Sequence, residues 1–97
     1  METLSQAIAR LEAAGYRDGF TPTRDGLLAS RAGRHYMPES LTVDAIERFE
    51  GPTDPADASV LFALRAPDGV RGTWATPFGP ARDLLDAALA ERLRPKR

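Results

Sequence analysis

The chain has 97 residues, of which 42% are hydrophobic and 28% are charged, and its formal net charge is −1 at pH 7. Its length is that of one domain and its composition is that of a globular protein, so disorder along the whole chain is not expected. Cysteine is absent and His35 is the only histidine, which excludes disulfides, thiolate zinc sites and motifs that need two histidines. The balance of acidic and basic residues is unlike that of a dedicated nucleic-acid surface, so nucleic acid is not an expected partner.

No apolar segment approaches the roughly 20 residues of a membrane span. The first ten residues also lack the basic start and apolar run of a signal peptide. The sequence therefore predicts a cytoplasmic protein with no membrane segment. No motif requires a cofactor, and none is predicted.

The first element is predicted to be a helix over Thr3–Ala14. Apolar residues recur in this segment at the helical period. Thr3 and Gln6 fit a capping box at its start. Gly15 follows it, at the position where helices commonly end in a left-handed residue.

Residues 17–37 are punctuated by glycine and proline, which favours short elements joined by turns. A short strand is predicted within Gly26–Ala32. Its hairpin partner is predicted at His35–Met37, before Pro38 ends the segment.

The longest strands are predicted in the middle of the chain. Leu41–Glu50 alternates apolar and polar residues, but the pattern slips near Ala45, which a β-bulge would explain. A helix over Val43–Phe49 is the alternative. Ala58–Ala66 is apolar on both sides, which is typical of a central strand.

A turn is predicted at Ala66–Gly69, where proline and glycine occupy favourable turn positions. It leads into an antiparallel strand over Val70–Thr76. In that pairing Trp74 is expected to face Phe62 or Val60.

A second helix is predicted near the end of the chain. Pro80 suits its first position, and an apolar stripe runs from Leu84 to Leu93. Pro95 is expected to stop it.

The order of these elements predicts a single α+β domain over residues 1–97. Its expected architecture is a two-layer sandwich, an antiparallel β-meander with an N-terminal and a C-terminal helix packed on one face. The opposite face of the central strand carries Leu61 and Ala63. If nothing covered that face, a homodimer interface would be its natural use.

Arg48–Phe49–Glu50–Gly51, followed by Thr53–Asp54–Pro55 and Asp57, resembles a motif of a family of small uncharacterised bacterial proteins of similar length. Gly69–Thr73 and Phe78–Gly79 also resemble that family, and the likeness is clearest over Glu39–Gly79. The resemblance implies a helix-first, helix-last order of elements. Some members carry the label phosphoribosylpyrophosphate synthetase, but this chain is too short for such an enzyme and has no Gly-rich phosphate loop.

The acidic segment within that motif is the main candidate for a site. Glu47, Glu50, Asp54 and Asp57 lie within eleven residues, and carboxylates so close together could bind Ca²⁺ or Mg²⁺. Their spacing does not match an EF-hand loop. The alternative is structural, with Asp54 forming a turn before Pro55 while the other carboxylates are solvated.

Other side chains have two interpretations as well. Arg48 could fix the acidic segment by pairing with Glu50 or Asp57, or it could bind an anionic ligand. Trp74 could line a ligand pocket with Tyr36 and Phe78, or pack in the core.

Two further groups are weaker candidates. His35 could act as a general base, but the sequence shows no partner to orient it, so a place at the surface or a strand end is the alternative. The basic tail Arg92–Arg97 could contact phosphates, or simply be a solvated helix end.

Two hypotheses of function follow. The first is a non-enzymatic binding or regulatory module that self-associates, with ligand-binding residues Arg48, Glu50, Asp54, Asp57 and Trp74. The second is a small hydrolase- or lyase-like enzyme that uses Arg48, Glu50 and Asp57 with Mg²⁺.

Overall fold

The computed structural model describes residues 2–49, 58–77 and 84–96. The sheet formed by the described residues has the strand order β3-β2-β1-β6-β5-β4-β7. In chain order the elements are α1 (Leu4–Ala13), β1 (Asp18–Pro22), β2 (Leu27–Ala29), β3 (Arg34–Tyr36), a 3₁₀ turn (Pro38–Ser40), β4 (Thr42–Phe49), β5 (Ser59–Arg65), β6 (Arg71–Pro77), α2 (Leu84–Glu91) and β7 (Arg94–Pro95).

The predicted two-layer sandwich, with an antiparallel meander and both helices on one face, is wrong. The strands form a mixed sheet that curls into a half-barrel. In it β1 runs parallel to β6 and β7 runs parallel to β4. Neither parallel strand shows the apolar alternation that predicts a strand, because β1 contains a glycine and a proline and β7 has only two residues.

The N-terminal helix is confirmed, including both of its ends. Thr3 Oγ1 accepts a hydrogen bond from the Gln6 N–H at 3.2 Å, and the Thr3 N–H donates to Gln6 Oε1 at 2.8 Å, so the capping box is present. Gly15 has φ +109°, and the N–H groups of Gly15 and Tyr16 bind carbonyls of the last turn. This is the Schellman pattern, which satisfies carbonyls that a helix end leaves open.

The strand predictions before residue 50 are confirmed with changed bounds. The strands β2 and β3 form the expected antiparallel hairpin, with Leu28 opposite His35. The slip in β4 is an irregularity in its pairing with β5, between Val43 and Ala45, as expected for a bulge. Since β4 is a strand to Phe49, the helical alternative is wrong.

The hairpin of β5 and β6 is also confirmed, and it carries the centre of the core. Gly69 in the connecting turn has φ +95°. Trp74 lies opposite Phe62, and the two rings stack with their centroids 5.4 Å apart. The strand β5 is buried over five consecutive residues. This is expected of a central strand that is covered on both faces of the sheet.

The two helices cover opposite faces of the sheet. Ala7 and Leu11 of α1 pack on Leu61 and Ala63 of β5. On the inner face of the curl, Leu89 of α2 joins the larger core around the stacked aromatic pair. The face of β5 that was predicted to be available for a dimer is therefore covered by the chain's own helix.

The second helix ends earlier than predicted. It ends at Glu91, and Arg94 and the residue after it pair with β4 instead of continuing the helix. The Arg94 N–H donates to the Leu41 carbonyl at 2.9 Å, and Arg92 forms an ion pair with Glu39 at 3.0 Å. These contacts tie the end of the chain to the 3₁₀ turn; Pro80, the predicted start of the helix, lies outside the described residues.

The buried carboxylate of Asp18 joins the β2–β3 turn to β1. Asp18 is 7% exposed. Its Oδ1 accepts hydrogen bonds from the N–H groups of Gly19 and Arg31, both at 2.8 Å, and its Oδ2 accepts one from Ala32 at 2.9 Å. Because three backbone donors bind this buried carboxylate, it fixes the turn against β1.

A substitution at Gly72 tests the parallel pairing of β1 with β6. A Cβ at Gly72 would collide with the backbone carbonyl of Asp18. Gly72→Ala should therefore lower the free energy of unfolding by about 1–3 kcal/mol, measured by urea denaturation. Gly19→Ala is the matched control at the same junction, because a Cβ there meets nothing within 4 Å. An unchanged stability of Gly72→Ala would contradict the pairing.

Candidate functional site

The structure describes two of the five residues predicted to bind a ligand. Arg48 and Trp74 belong to the described residues, whereas Glu50, Asp54 and Asp57 lie outside them. The acidic segment and the enzyme hypothesis that needs it therefore stay predictions. Among residues 2–49, 58–77 and 84–96, no group of three or more histidine, aspartate or glutamate side chains could hold a metal ion.

Trp74 lies in the core, which was the structural alternative for this residue. It is 2% exposed and stacks on Phe62. Its Nε1 is buried with no hydrogen-bond partner in the described part of the chain. Tyr36, its predicted neighbour in a pocket, instead donates its hydroxyl to Asp68 at 2.8 Å.

A concave surface lies between α2 and the inner face of the sheet, and we call it the α2–β4 groove. It consists of two adjoining cavities of about 220 Å³ and about 320 Å³, which share Ile46, Phe62 and Ala90. The first cavity is also lined by Arg48, Val60, Thr76, Pro77, Asp86, Ala87 and Glu91. The second is also lined by Val43, Leu93, Pro95 and Lys96.

The groove exists because α2 presents small alanine side chains where β4 presents the larger Ile46. Ile46 lies opposite Phe62 across the β4–β5 pair, and the helix residues nearest to it in the groove are Ala87 and Ala90. Alanine cannot reach across to cover the strand, so Ile46 stays 56% exposed. An apolar side chain this open inside a concavity is typical of a binding surface.

Charged groups lie at both ends of the groove. Arg48, Asp86 and Glu91 line only the first cavity, and Lys96 lines only the second. Thr76 Oγ1 donates a hydrogen bond to Asp86 Oδ2 at 2.7 Å, which orients this carboxylate. The groove thus offers an apolar middle with ionic groups of both signs at its ends.

Sequence reasoning missed Ile46 and Ala90 as site residues, although a signal for Ile46 was present. Ile46 falls out of the alternation of β4, and the bulge explains this by turning Ile46 to the same side as Val43 and Arg48. No comparable signal marks Ala90, because its role depends on which face of α2 meets the sheet.

The remaining predicted candidates have structural partners. His35 Nε2 lies 2.8 Å from Thr23 Oγ1, which donates to the Gly26 carbonyl at 2.9 Å. No carboxylate among the described residues forms a hydrogen bond with the imidazole, as the orientation of a general base would require. In the basic tail, Arg92 pairs with Glu39, and Arg97 lies outside the described residues.

Two buried or half-buried tyrosines bind aspartates that also pair with arginines. Tyr16 donates to Asp44 Oδ2 at 2.7 Å, and Arg65 Nε lies 3.3 Å from the same oxygen. Burial raises the pKa of Asp44, but the hydrogen bonds from Tyr16 and Arg65 outweigh it, so the pKa is lowered. Burial and the bond to Asp44 raise the pKa of Tyr16. This arrangement joins the end of α1 to β4 and is structural.

The second such arrangement holds the β5–β6 turn. Asp68 Oδ2 accepts from the Tyr36 hydroxyl at 2.8 Å and from Arg34 Nη1 at 2.7 Å. These two bonds lower the pKa of Asp68. Both tyrosine–aspartate pairs join residues about thirty positions apart, a separation at which sequence pattern gives no pairing signal.

Comparisons of the chain with protein-family models, with curated proteins and with solved structures found no match. The resemblance of the Arg48–Asp57 segment to a family of small bacterial proteins stays a prediction. Neither helix within the described residues has the length and apolar character needed to cross a membrane.

The Tyr16–Asp44 bond should make stability depend on pH. The folded-state pKa of Asp44 is lowered, so its contribution is present above the unfolded value of about 3.9 and is lost as the pH falls through the folded value. Tyr16→Phe should cost about 1–2 kcal/mol of unfolding free energy at pH 7, and less near pH 3. Urea denaturation at both pH values measures this.

Tyr36→Phe is the comparison variant for that experiment. It removes the same kind of bond, but the Asp68 side chain is 30% exposed and the Asp44 side chain is 9% exposed. Tyr36→Phe should therefore lower the free energy of unfolding at pH 7 by less than Tyr16→Phe does. A Tyr16→Phe penalty that is the same at both pH values would show that packing, and not the charged bond, is responsible.

Proposed function

We propose that this protein is a non-enzymatic binding module that holds the apolar part of a small amphiphilic molecule in the α2–β4 groove. The observation that carries the proposal is Ile46, which is 56% exposed at the centre of the groove between charged ends. Small-ligand sites are typically concave and mostly apolar, with a few polar groups that orient the ligand. A cytoplasmic location is part of the proposal and rests on the sequence alone.

The energetics set the size of ligand that the groove can hold. Complete burial of an isoleucine side chain contributes about 1.5–3 kcal/mol, and more than half of this surface is still available at Ile46. Micromolar binding requires about 8 kcal/mol. The ligand must therefore also contact the shared walls at Phe62 and Ala90, and place its charged group near an ionic end of the groove.

The charged ends define which head groups fit. A carboxylate can pair with Lys96 at the open end, and an amine can pair with Glu91 at the other. Lys96 and Glu91 are both exposed. An ion pair with either one therefore contributes at most about 1 kcal/mol to the binding free energy, and its main effect is on specificity. The apolar chain supplies most of the affinity.

A thermal-shift series with alkyl carboxylates and alkylamines of six to ten carbons tests the proposal. A bound ligand at a hundred times its Kd stabilises the folded state by about 2.7 kcal/mol, which raises Tm by about 10 °C or more in a domain of this size. Ala90→Leu should remove the effect, because the larger side chain fills the part of the groove common to both cavities.

Ala88→Leu is the matched control on the same helix, because Ala88 is exposed and lines neither cavity. It should bind like the wild-type protein. Equal Tm shifts in the two variants, or no shift with any chain length, would contradict ligand binding in the groove.

Self-association is the second candidate function, and it is supported by the exposed leucines of α2. Leu84 is 83% exposed and Leu85 is 44% exposed, and Ile46 on β4 is exposed as well. Three of the five exposed large hydrophobic residues in the described segments therefore lie on α2 or in its groove. Such a grouping is typical of an interface between copies of a chain.

Sedimentation equilibrium over a hundredfold range of concentration tests self-association. A dimer should convert to a monomer in Leu84→Glu, because a charge buried at the interface is costly. Leu28→Glu is the control, since Leu28 is an exposed leucine on the distant strand β2. A wild-type protein that is monomeric at every concentration would contradict this candidate.

A further inference from the structure

Arg17, Arg31 and Arg71 come together at one end of the sheet, on the side away from the α2–β4 groove; we call them the arginine cluster. The parallel pairing places Asp18 opposite Gly72, so Arg17 and Arg71 precede neighbouring positions on adjacent strands. Arg31 follows in the turn after β2, and its Nη1 donates to the Arg17 carbonyl at 3.4 Å. All three are exposed.

Within the described residues, no carboxylate forms an ion pair with a member of the arginine cluster. Asp18 is the carboxylate closest in the chain, but it is buried and bound to three backbone N–H groups. By contrast, most of the other arginines in these segments pair with a carboxylate, namely Arg10, Arg34, Arg65 and Arg92.

A fourth arginine, Arg65, lies directly opposite Arg71 across β5 and β6. Like charges at opposed strand positions destabilise a sheet. Asp44 neutralises Arg65 through an ion pair at 3.3 Å, whereas no ion pair among the described residues includes Arg71. Repulsion within the cluster is a cost that a bound anion would remove.

The Arg71 side chain is held in position without using its hydrogen-bonding capacity on a carboxylate. Its guanidinium lies over the Tyr16 ring, 5.4 Å from the centroid, and against Gly15, where a Cβ would be 2.8 Å from Nη2. The carbonyls at the end of α1 are already bound by the N–H groups of Gly15 and Tyr16. The arginines are therefore not needed to cap the helix.

From these observations we propose that the arginine cluster binds an oxyanion, specifically the phosphoryl group of a small molecule. A planar guanidinium presents paired N–H donors that match the oxygens of a phosphate. The three side chains belong to the residue before β1, the β2–β3 turn and the first position of β6, and together they supply the donors for one phosphoryl group. The proposal goes beyond ligand binding in the groove and does not depend on it.

Isothermal titration with pyrophosphate, at an ionic strength held constant with NaCl, tests the proposal. The wild-type chain should bind one pyrophosphate. Arg17→Gln combined with Arg31→Gln should weaken binding about tenfold or more, as expected for lost charge-assisted bonds. Arg24→Gln is the matched control, since Arg24 is another exposed arginine that forms no ion pair in the described residues; it should leave the affinity unchanged.

Three outcomes would overturn the proposal. The first is no binding of pyrophosphate at millimolar concentration by a chain whose circular dichroism shows that it is folded. The second is an equal loss in the Arg24→Gln control, which would indicate only a general charge effect. The third is tighter, cluster-dependent binding of a single-stranded oligonucleotide, which would make a nucleic-acid backbone the partner in place of a small molecule.

Discussion

The short connection between β3 and β4 is the constraint on which the rest of the structure depends. These strands are consecutive in the chain but lie five positions apart in the sheet, so a flat sheet would separate them by about 24 Å. The connection over residues 37–41 spans about 20 Å when extended, and the 3₁₀ turn at Pro38–Ser40 shortens it further. The sheet must therefore curl. Pro38, which is fully buried, closes the open side of the curl.

The curl explains why the two helices have different roles. On its outer face, Ala7 and Leu11 of α1 cover the small patch at Leu61 and Ala63. Its inner face must be filled by large side chains, and the stacked Phe62 and Trp74 supply them. The helix α2 covers the rest of the inner face through Leu89, but its alanines do not reach β4. The α2–β4 groove is the space that this arrangement leaves open.

The parts of the fold that the sequence predicted are those determined by neighbours in the chain. The capping box at Thr3, the turn at Gly69 and the pairing of Trp74 with Phe62 each depend on residues within a few positions or within one hairpin. The parallel strands β1 and β7 depend on partners more than fifty positions away, and short polar strands carry no periodicity that would reveal them. The same limit applies to the site. Arg48 could be selected by its chemistry, whereas the exposure of Ile46 depends on how α2 packs.

Net charge illustrates a further limit of reading a site from composition. A formal charge of −1 argued against a dedicated nucleic-acid surface, yet it reflects a sum over the whole chain. Ion pairs with other arginines use several of the acidic groups. At ionic strength near that of the cell, charges act over about 8 Å. A ligand therefore responds to a local excess of positive charge and not to the net charge of the whole chain. The parallel pairing of β1 with β6 creates that local excess, because it places Arg17 beside Arg71. The strand that the sequence pattern did not reveal is thus also the one that assembles the arginine cluster.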